Sequence, residues 1–228
     1  MPRAPWSDRV DAERVTAYVA GGAILIGVAC LFDGWVFGLG RVRGDSSDLD
    51  RMFRVVGFVP TWLIIGGALA LARTGRVKAE GWLKAMNAPL LIVLASAGAG
   101  AVAEVVKLLA RRLRPRETGG IYEWRPIWEG GLDAGDMGFP SSHAMVAFGG
   151  AWMLCRLYPW GTPVWLALAI GCAVTRVMTH AHFVSDVTGS AVLAFAFAAC
   201  LWNWHRFNES RDRLATEPVQ PATGSVAR

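Results

Sequence analysis

The sequence predicts an all-α integral membrane protein built as one bundle of six transmembrane helices. Hydrophobic residues make up 54% of the 228 positions, and the mean hydropathy is +0.35, which is unusual for a water-soluble chain. The apolar residues also come in blocks of roughly twenty, the length at which a helix crosses the hydrocarbon core with its backbone hydrogen bonds satisfied. The bilayer is therefore the expected solvent.

Six apolar blocks define the expected membrane helices. Most blocks show no polar face, which argues against a soluble bundle of unusually apolar helices. The first block follows a mixed-charge leader and precedes no small-residue cleavage pattern, so it is interpreted as a membrane helix rather than a secretory signal. The blocks cover residues 15–39, 52–72, 88–109, 142–158, 163–178 and 187–204.

Polar segments are expected on both sides of the membrane domain, which covers residues 15–207. Residues 1–14 form a mixed-charge N-terminal segment, and residues 208–228 lack periodicity and contain two prolines, which predicts a disordered tail. The third and fourth helices are joined by a long connection, residues 110–140, that is expected to lie over the active site. Its aromatic residues, which suit the membrane interface, are Tyr122, Trp124, Trp128 and Phe139.

Cysteine placement and charge exclude several classes of protein. All four cysteines fall inside predicted helices and none forms a CxxC pair, so neither a disulfide framework nor a zinc site is expected. The formal net charge of +5 suits a chain whose basic residues meet anionic lipid headgroups. Since the sequence has no nucleic-acid motif, membrane lipids are the expected partners and nucleic acid is not. The oligomeric state is left open.

The expected crossings also give an orientation. Six spans put both termini on one side and the loops after helices one, three and five on the other. Once the candidate site residues are set aside, the terminal side is modestly richer in Lys and Arg. Basic loops favour the cytoplasm, so the termini are expected there, with the chain in the cell (inner) membrane.

A first polar cluster ends the third helix, in the sequence KLLARRLRP. Lys107 and Arg114 are seven residues apart, so on a helix that continues to Pro115 they share one face and both reach one anion. Lys107 lies among apolar residues, where a charge is costly and is usually functional or paired, and Glu104 is its candidate partner. The alternative is an ordinary basic flank that reaches the headgroups, which suits Arg111 and Arg112.

A second cluster, GFPSSH, opens the fourth helix. Pro140 fixes the entry, while Ser141 and Ser142 suit the N-cap region, where the free amides of a helix bind phosphate. His143 at this edge is a candidate proton donor to a leaving oxygen, and a solvated histidine without a role is the alternative.

The third cluster, TRVMTHAHFVSD, joins the fifth and sixth helices. His182 and Asp186 are four residues apart, so a helical start lets the carboxylate hold one ring nitrogen and leaves the other to attack. Arg176 is a candidate clamp for a phosphate, although a lone interfacial arginine is more often structural. His180 is the competing nucleophile.

Topology brings these clusters together. Each lies at a helix end, and alternating crossings put all three at the same membrane face. Three cations, a helix N-terminus and two imidazoles, one with a carboxylate, are what phosphoryl transfer requires. The convergence favours a phosphate site over three unrelated accidents.

At these residues the sequence resembles the type 2 phosphatidic acid phosphatase (PAP2) superfamily, whose signature is K-x6-RP, PSGH and SR-x5-H-x3-D. The resemblance runs from about the third to the sixth helix, and the spacing matches throughout. Two positions differ, because Ser142 stands where the family usually has Gly and Thr175 where it usually has Ser.

The resemblance implies a phosphohistidine mechanism. His182 is then the nucleophile rather than His180, Asp186 orients it and His143 protonates the leaving oxygen. The phosphoryl oxygens are bound by five residues, and the site faces away from the cytoplasm. The five phosphate-binding residues are Lys107, Arg114, Ser141, Ser142 through its amide, and Arg176.

The expected activity is metal-independent and cofactor-free hydrolysis of a phosphate monoester or diphosphate on a lipid. Phosphatidic acid, phosphatidylglycerophosphate, polyprenyl diphosphate and lipid A phosphate are the candidate substrates, and the sequence does not choose among them. No carboxylate or Cys/His cluster suits Mg²⁺ or Zn²⁺. One alternative is a transporter or binder that grips anionic headgroups without catalysis. A second is the soluble haloperoxidase branch of the superfamily, which the hydropathy disfavours.

Overall fold

The computed structural model describes residues 12–40, 48–76, 82–131 and 133–216, and these residues form helices and loops with no β-strand. The all-α prediction is confirmed. Two 3₁₀ turns, Thr74–Arg76 and Pro159–Gly161, join helices in this part of the chain. Its α-helices are α1 (Ala12–Gly38), α2 (Asp48–Val55), α3 (Val59–Ala72), α4 (Trp82–Ala110), α5 (Pro115–Thr118), α6 (Ser142–Leu157), α7 (Thr162–Met178) and α8 (Val184–Thr216).

Four helices in the described residues are long and apolar enough to cross a membrane. Their apolar spans are Thr16–Gly38, Met86–Ala110, Pro159–Met178 and Val184–Arg211. The other two predicted blocks form shorter helices, since α3 has 14 residues and α6 has 16. At 1.5 Å per residue α6 rises about 24 Å, less than the hydrocarbon core of about 30 Å. The chain is a helical membrane protein, and the count of six crossings stays a prediction.

The second predicted block, residues 52–72, is not one helix. It divides into α2 and α3 at residues 56–58, and α3 restarts with Pro60 in its first turn. Gly57 allows the break because a Cβ there would lie only 2.7 Å from the Cβ of His143 and 2.9 Å from the Cys172 sulfur. The break therefore has a local signal in Pro60, which a helix tolerates only in its first turn, and it coincides with a tertiary contact at Gly57 that an apolar run does not reveal.

Helix α6 is the centre of the bundle. It packs against α4, α7 and α8, and ten of its residues are buried. Gly149 permits the close approach of α4, because a Cβ at this position would overlap the Ala95 carbonyl. Gly150 likewise makes room for the ring of Trp62 on α3. The central position of α6 places its N-terminus between the ends of α4 and α8.

The end of the membrane domain differs from the prediction. The tail was expected to be disordered from residue 208, but α8 continues to Thr216. The sequence after Phe207 holds good helix formers and no proline before Pro218, and His205 Nε2 lies 3.4 Å from Glu209 Oε1 one turn on. Residues 217–228 and 1–11 lie outside the described residues.

Candidate active site

Helix α4 ends earlier than the sequence predicted. Its last residue is Ala110, and Arg111 has a φ of 52°, in the left-handed region that terminates helices. The Arg111 side chain holds this turn by donating to the backbone carbonyls of Arg125, over 3.1 Å, and Glu129. Lys107 and Arg114 therefore do not share a helix face, and Pro115 is not the stop. That expectation was wrong because tertiary contacts end the helix first.

Arg114 reaches the site from an extended segment. Its backbone N–H donates to the Asp136 carbonyl over 3.0 Å, and its Nε donates to the Met137 carbonyl over 3.3 Å. The preceding Leu113 donates to the carbonyl of Glu123 over 2.8 Å. The long connection is thus folded back on itself at the end of α4, and its own backbone positions the arginine.

Lys107, in the last turn of α4, is buried and paired. Its Nζ lies 3.1 Å from Glu104 Oε1, which confirms the predicted partner. Lys107 also donates to the Ser142 hydroxyl, and that hydroxyl donates to Glu104 over 2.5 Å. Ser142, where the family signature has Gly, therefore joins the lysine on α4 to the first turn of α6.

Ser141 caps α6 in the way the sequence predicted. The residue is fully buried, and its hydroxyl lies 3.5 Å from the Ala144 N–H. Its backbone N–H donates to the Ser190 hydroxyl over 2.9 Å, and Ser190 donates to the Ser141 carbonyl over 3.2 Å. Ser190 on α8 thus fixes the N-terminus of α6, a residue that the sequence analysis did not single out.

The ring of His182 is buried and is held by a backbone carbonyl. Its Nδ1 lies 2.7 Å from the Gly138 carbonyl oxygen. Since a carbonyl only accepts, Nδ1 carries the proton in the neutral ring and Nε2 carries the lone pair. The His182 backbone N–H donates to the Arg176 carbonyl over 3.2 Å. Gly138 was missed because a backbone acceptor leaves no mark in a side-chain motif.

Asp186 lies beside His182 but does not hydrogen-bond to it. Asp186 Oδ2 is 3.8 Å from His182 Nδ1, too far for a hydrogen bond, and instead accepts from the Phe183 N–H over 2.8 Å. The other oxygen, Oδ1, accepts from Arg112. The expected direct contact is thus replaced by the Gly138 carbonyl, although the carboxylate remains close enough to act on the ring electrostatically.

The interpretation of Arg111 and Arg112 as a headgroup-seeking flank was wrong. Both side chains are buried, with 7% and 8% of their surface exposed. Arg111 binds carbonyls of the connection, as described above, and Arg112 forms an ion pair with Asp186. The spacing of these arginines in the sequence does not show whether they are buried or lie at the membrane surface. Their burial depends on the direction that the chain takes after Ala110.

Arg176 provides a buried donor. It lies in the last turn of α7 and is 9% exposed. Its Nε is buried and has no hydrogen-bond partner among the residues that the structure describes. An unpaired buried N–H of a guanidinium is costly unless an acceptor arrives, so this atom suits an anion at the site.

His143 completes the cluster at the first turn of α6. Its ring meets the ring of Phe58 edge to face at 4.8 Å. The positive charges of Arg176, Lys107 and Arg54 interact electrostatically with the His143 ring, and so does the His182 ring. The structure therefore brings the predicted site residues of three helix ends into one electrostatic cluster, together with Arg54 from α2.

His180, the competing nucleophile, packs against α1. It has a φ of 55°, and its ring stacks on Phe37 of α1 at 4.3 Å.

The aromatic residues of the connection divide into two groups. Trp124 and Trp128 are exposed, at 59% and 82%, whereas Tyr122 and Phe139 turn inward against Arg112.

The geometry defines an anion site inside a helical membrane protein. Cations from three segments surround a capped helix N-terminus and a buried neutral histidine. Among the described residues, no group of three or more His, Cys, Asp or Glu side chains is arranged to hold a metal ion. The positive side chains and the helix N-terminus form an arrangement that suits an oxyanion.

A family model described as the PAP2 superfamily matches residues 88–210, more than half of the 228-residue chain. The protein therefore belongs to the PAP2 superfamily. Its fold is similar to the solved structure described as the first transmembrane PAP2 type phosphatidylglycerolphosphate phosphatase from Bacillus subtilis. That comparison has a TM-score of 0.58 and 17% identity, covering 84% of this chain and 96% of the other. No match was found among curated proteins.

Burial sets the protonation state of the His182 ring. Removal from water lowers the pKa of His182 to about 4, and the negative charge of Asp186 opposes this shift only in part. The imidazole is therefore neutral at pH 7, as a nucleophilic nitrogen must be.

This shift predicts a pH-dependent stability. The unfolded chain takes up the proton near the ordinary histidine pKa of about 6.5, so stability is full above that value and declines toward pH 4, by roughly 3 kcal/mol in all. We expect the thermal unfolding midpoint in detergent to fall more steeply between pH 6.5 and pH 4 for the wild type than for His182→Gln, which cannot titrate. Parallel curves for the two proteins would contradict the buried neutral ring.

Proposed function

We propose that this protein hydrolyses a phosphate monoester or diphosphate on a membrane lipid through a phosphohistidine formed on His182. The observation that carries the proposal is the His182 ring. It is buried and neutral, its Nδ1 is hydrogen-bonded to Gly138, and its Nε2 lone pair is left for attack. Membership of the PAP2 superfamily supports this chemistry, as does the fold shared with a phosphatidylglycerolphosphate phosphatase.

The first chemical step transfers the phosphoryl group to the enzyme. Nε2 of His182 attacks phosphorus, the bond from phosphorus to the lipid oxygen breaks, and His143, in its protonated imidazolium form, donates a proton to that oxygen. Asp186, 3.8 Å from the ring, stabilises the positive charge that develops on the imidazole. In the second step water attacks the phosphohistidine, His143 takes its proton, and inorganic phosphate leaves.

The phosphoryl oxygens have donors from three directions. Arg176 offers the buried Nε that lacks a partner in the described structure, and Arg114 reaches in from the connection. The Ser142 amide, in the first turn of α6, adds the partial positive charge of a helix N-terminus, whereas the Ser141 amide is already bonded to the Ser190 hydroxyl. Lys107 binds the phosphate in exchange for its ion pair with Glu104.

The central test is phosphate release by purified protein in detergent. The panel comprises phosphatidic acid, phosphatidylglycerophosphate, a polyprenyl diphosphate and a lipid A phosphate. His182→Ala should lower the rate at least about a thousandfold, because it removes the attacking atom. His180→Ala should keep most of the activity, and His205→Ala, on the distal part of α8, is the matched control with wild-type rate.

Each outcome of that panel discriminates between functions. A wild-type protein that binds these lipids but releases no phosphate from any of them would be a binder or transporter of anionic headgroups. Full activity in His182→Ala would overturn the phosphohistidine on this residue, and loss of activity in His180→Ala alone would reassign the nucleophile.

Metal independence is part of the same proposal. The cations Lys107, Arg114 and Arg176 supply the charge compensation that a metal ion provides in other phosphatases. We expect the rate to stay within about twofold of its untreated value when EDTA is added to protein prepared without divalent ions. Loss of activity with EDTA that is restored by Mg²⁺ or Zn²⁺ would sink this part of the proposal.

The proposal also fixes an orientation in the cell membrane, with cytoplasmic termini and a site facing the exterior or periplasm. The bias of basic residues supports it. A cysteine placed at exposed Trp128, in the connection over the site, should react with a membrane-impermeant thiol reagent in intact spheroplasts. One placed at Arg211, near the end of α8, should react only after permeabilisation. The reverse pattern would invert the topology.

A further inference from the structure

A buried polar chain links α1 to the carboxylate beside the proposed nucleophile. Asp33 of α1 accepts from the Ser185 backbone N–H over 2.9 Å and from the Ser185 hydroxyl. Asp33 Oδ2 also accepts from the Tyr122 hydroxyl over 2.6 Å. Arg112 donates to the Ser185 hydroxyl over 2.8 Å and to Asp186. Three segments of the protein, α1, the connection after α4 and α8, therefore meet in one hydrogen-bonded network.

The network is closed to water except at Tyr122, which is partly exposed. Asp33 is 3% exposed, and Ser185 and Asp186 are fully buried. Burial and the hydrogen bond to Asp33 raise the pKa of Tyr122, so its hydroxyl keeps the proton that it donates. Asp33, Ser185, Tyr122 and Asp186 thus each have a defined donor or acceptor role, which favours a single arrangement, while the Nε of Arg112 has no hydrogen-bond partner among the described residues.

Aromatic rings fix the arginine at the centre of this network. The Arg112 guanidinium carbon lies 4.9 Å from the ring centre of Phe183 and 5.0 Å from that of Tyr122. The Phe139 ring is 5.5 Å away. Such contacts stabilise a desolvated cation and leave it few alternative positions.

Arg112 compensates the charge of the buried Asp186 carboxylate. A carboxylate with no exposed surface is costly unless a cation compensates it. His182 does not supply that cation in the resting protein, because its buried ring is neutral. Arg112 is the cation in contact with Asp186, so it compensates the charge of the carboxylate and holds it in place until positive charge develops on the imidazole.

We infer that Arg112, anchored to α1 through Ser185 and Asp33, is a positioning residue that holds the Asp186 carboxylate in place beside His182. The inference rests on the proposed phosphohistidine chemistry. It also makes α1 part of the active site, although Asp33 lies outside the region matched by the family model, residues 88–210. Arg112 touches no substrate in this role and acts through the carboxylate.

A double-mutant cycle tests the inference. Arg112→Met should lower kcat about 10-fold to 100-fold with KM changed by less than about twofold. In an Asp186→Ala background the same change should cost less than about threefold, because the group through which Arg112 acts is gone. Arg112→Lys should recover part of kcat, since an ammonium restores the charge without the fork.

Two further variants extend the test to α1. Asp33→Asn should lower kcat in the wild-type background and have little added effect once Arg112 is Met. Arg73→Met is the matched control, because Arg73 also makes a contact between helix ends, to the Tyr158 hydroxyl over 3.2 Å, remote from His182. It should keep the wild-type kcat. Thermal unfolding of every variant identifies any that does not fold, and Arg112→Lys then carries the comparison.

The outcomes separate the two proposals. Equal losses from Arg112→Met with and without Asp186 would show a merely structural arginine and overturn the inference. A wild-type kcat in Arg112→Met would overturn it as well, while the phosphatase proposal stands. A wild-type protein that releases no phosphate from any lipid of the panel overturns the proposed function and the inference with it.

Discussion

The structure at the site depends on how one buried charge is satisfied. Asp186 is fully enclosed, so every element that approaches it must supply either a donor or an opposite charge. Arg112 arrives from the connection after α4 and the Phe183 N–H from the start of α8. The same turn of the chain that delivers Arg112 also brings the Gly138 carbonyl to His182, because Gly138 donates to the Arg112 carbonyl. The chain path that brings Arg112 to the Asp186 carboxylate therefore also fixes the orientation of the His182 ring.

Hydrophobic blocks located most helices because lipid and protein core impose the same apolar requirement over a length of about twenty residues. Helix α7 matches its predicted block to within one residue, whereas α4 begins six residues before its block and α8 ends twelve residues after its block. The block that failed, residues 52–72, contains a break just before Pro60, where Gly57 packs closely against His143, a residue far away in sequence. The composition of a segment reflects whether lipid, protein core or water surrounds it, whereas the close packing at Gly57 depends on a residue that is distant in sequence.

The residues of the site could be predicted where they match the sequence spacing of the family signature. That pattern identified the helix ends that meet and the residues that line them. It did not give the path of the chain after Ala110, and so it misjudged the relation of Lys107 to Arg114 and missed the burial of Arg112. Nor did it show that a backbone carbonyl, from Gly138, holds the His182 ring. Both gaps are tertiary features that local sequence does not encode.

The bond between Asp33 and Ser185 joins residues 152 positions apart, and this has a consequence for biogenesis. Helix α1 emerges from the ribosome first, carrying a carboxylate for which the membrane interior offers no solvent. Its partner on α8 is synthesised last of the described helices. Asp33 must therefore wait near the bilayer surface or against provisional partners until α8 is inserted. The contact of Ser185 with Asp33 can form only after α8 has been made, so the network around Asp186 is completed late in the synthesis of the described helices.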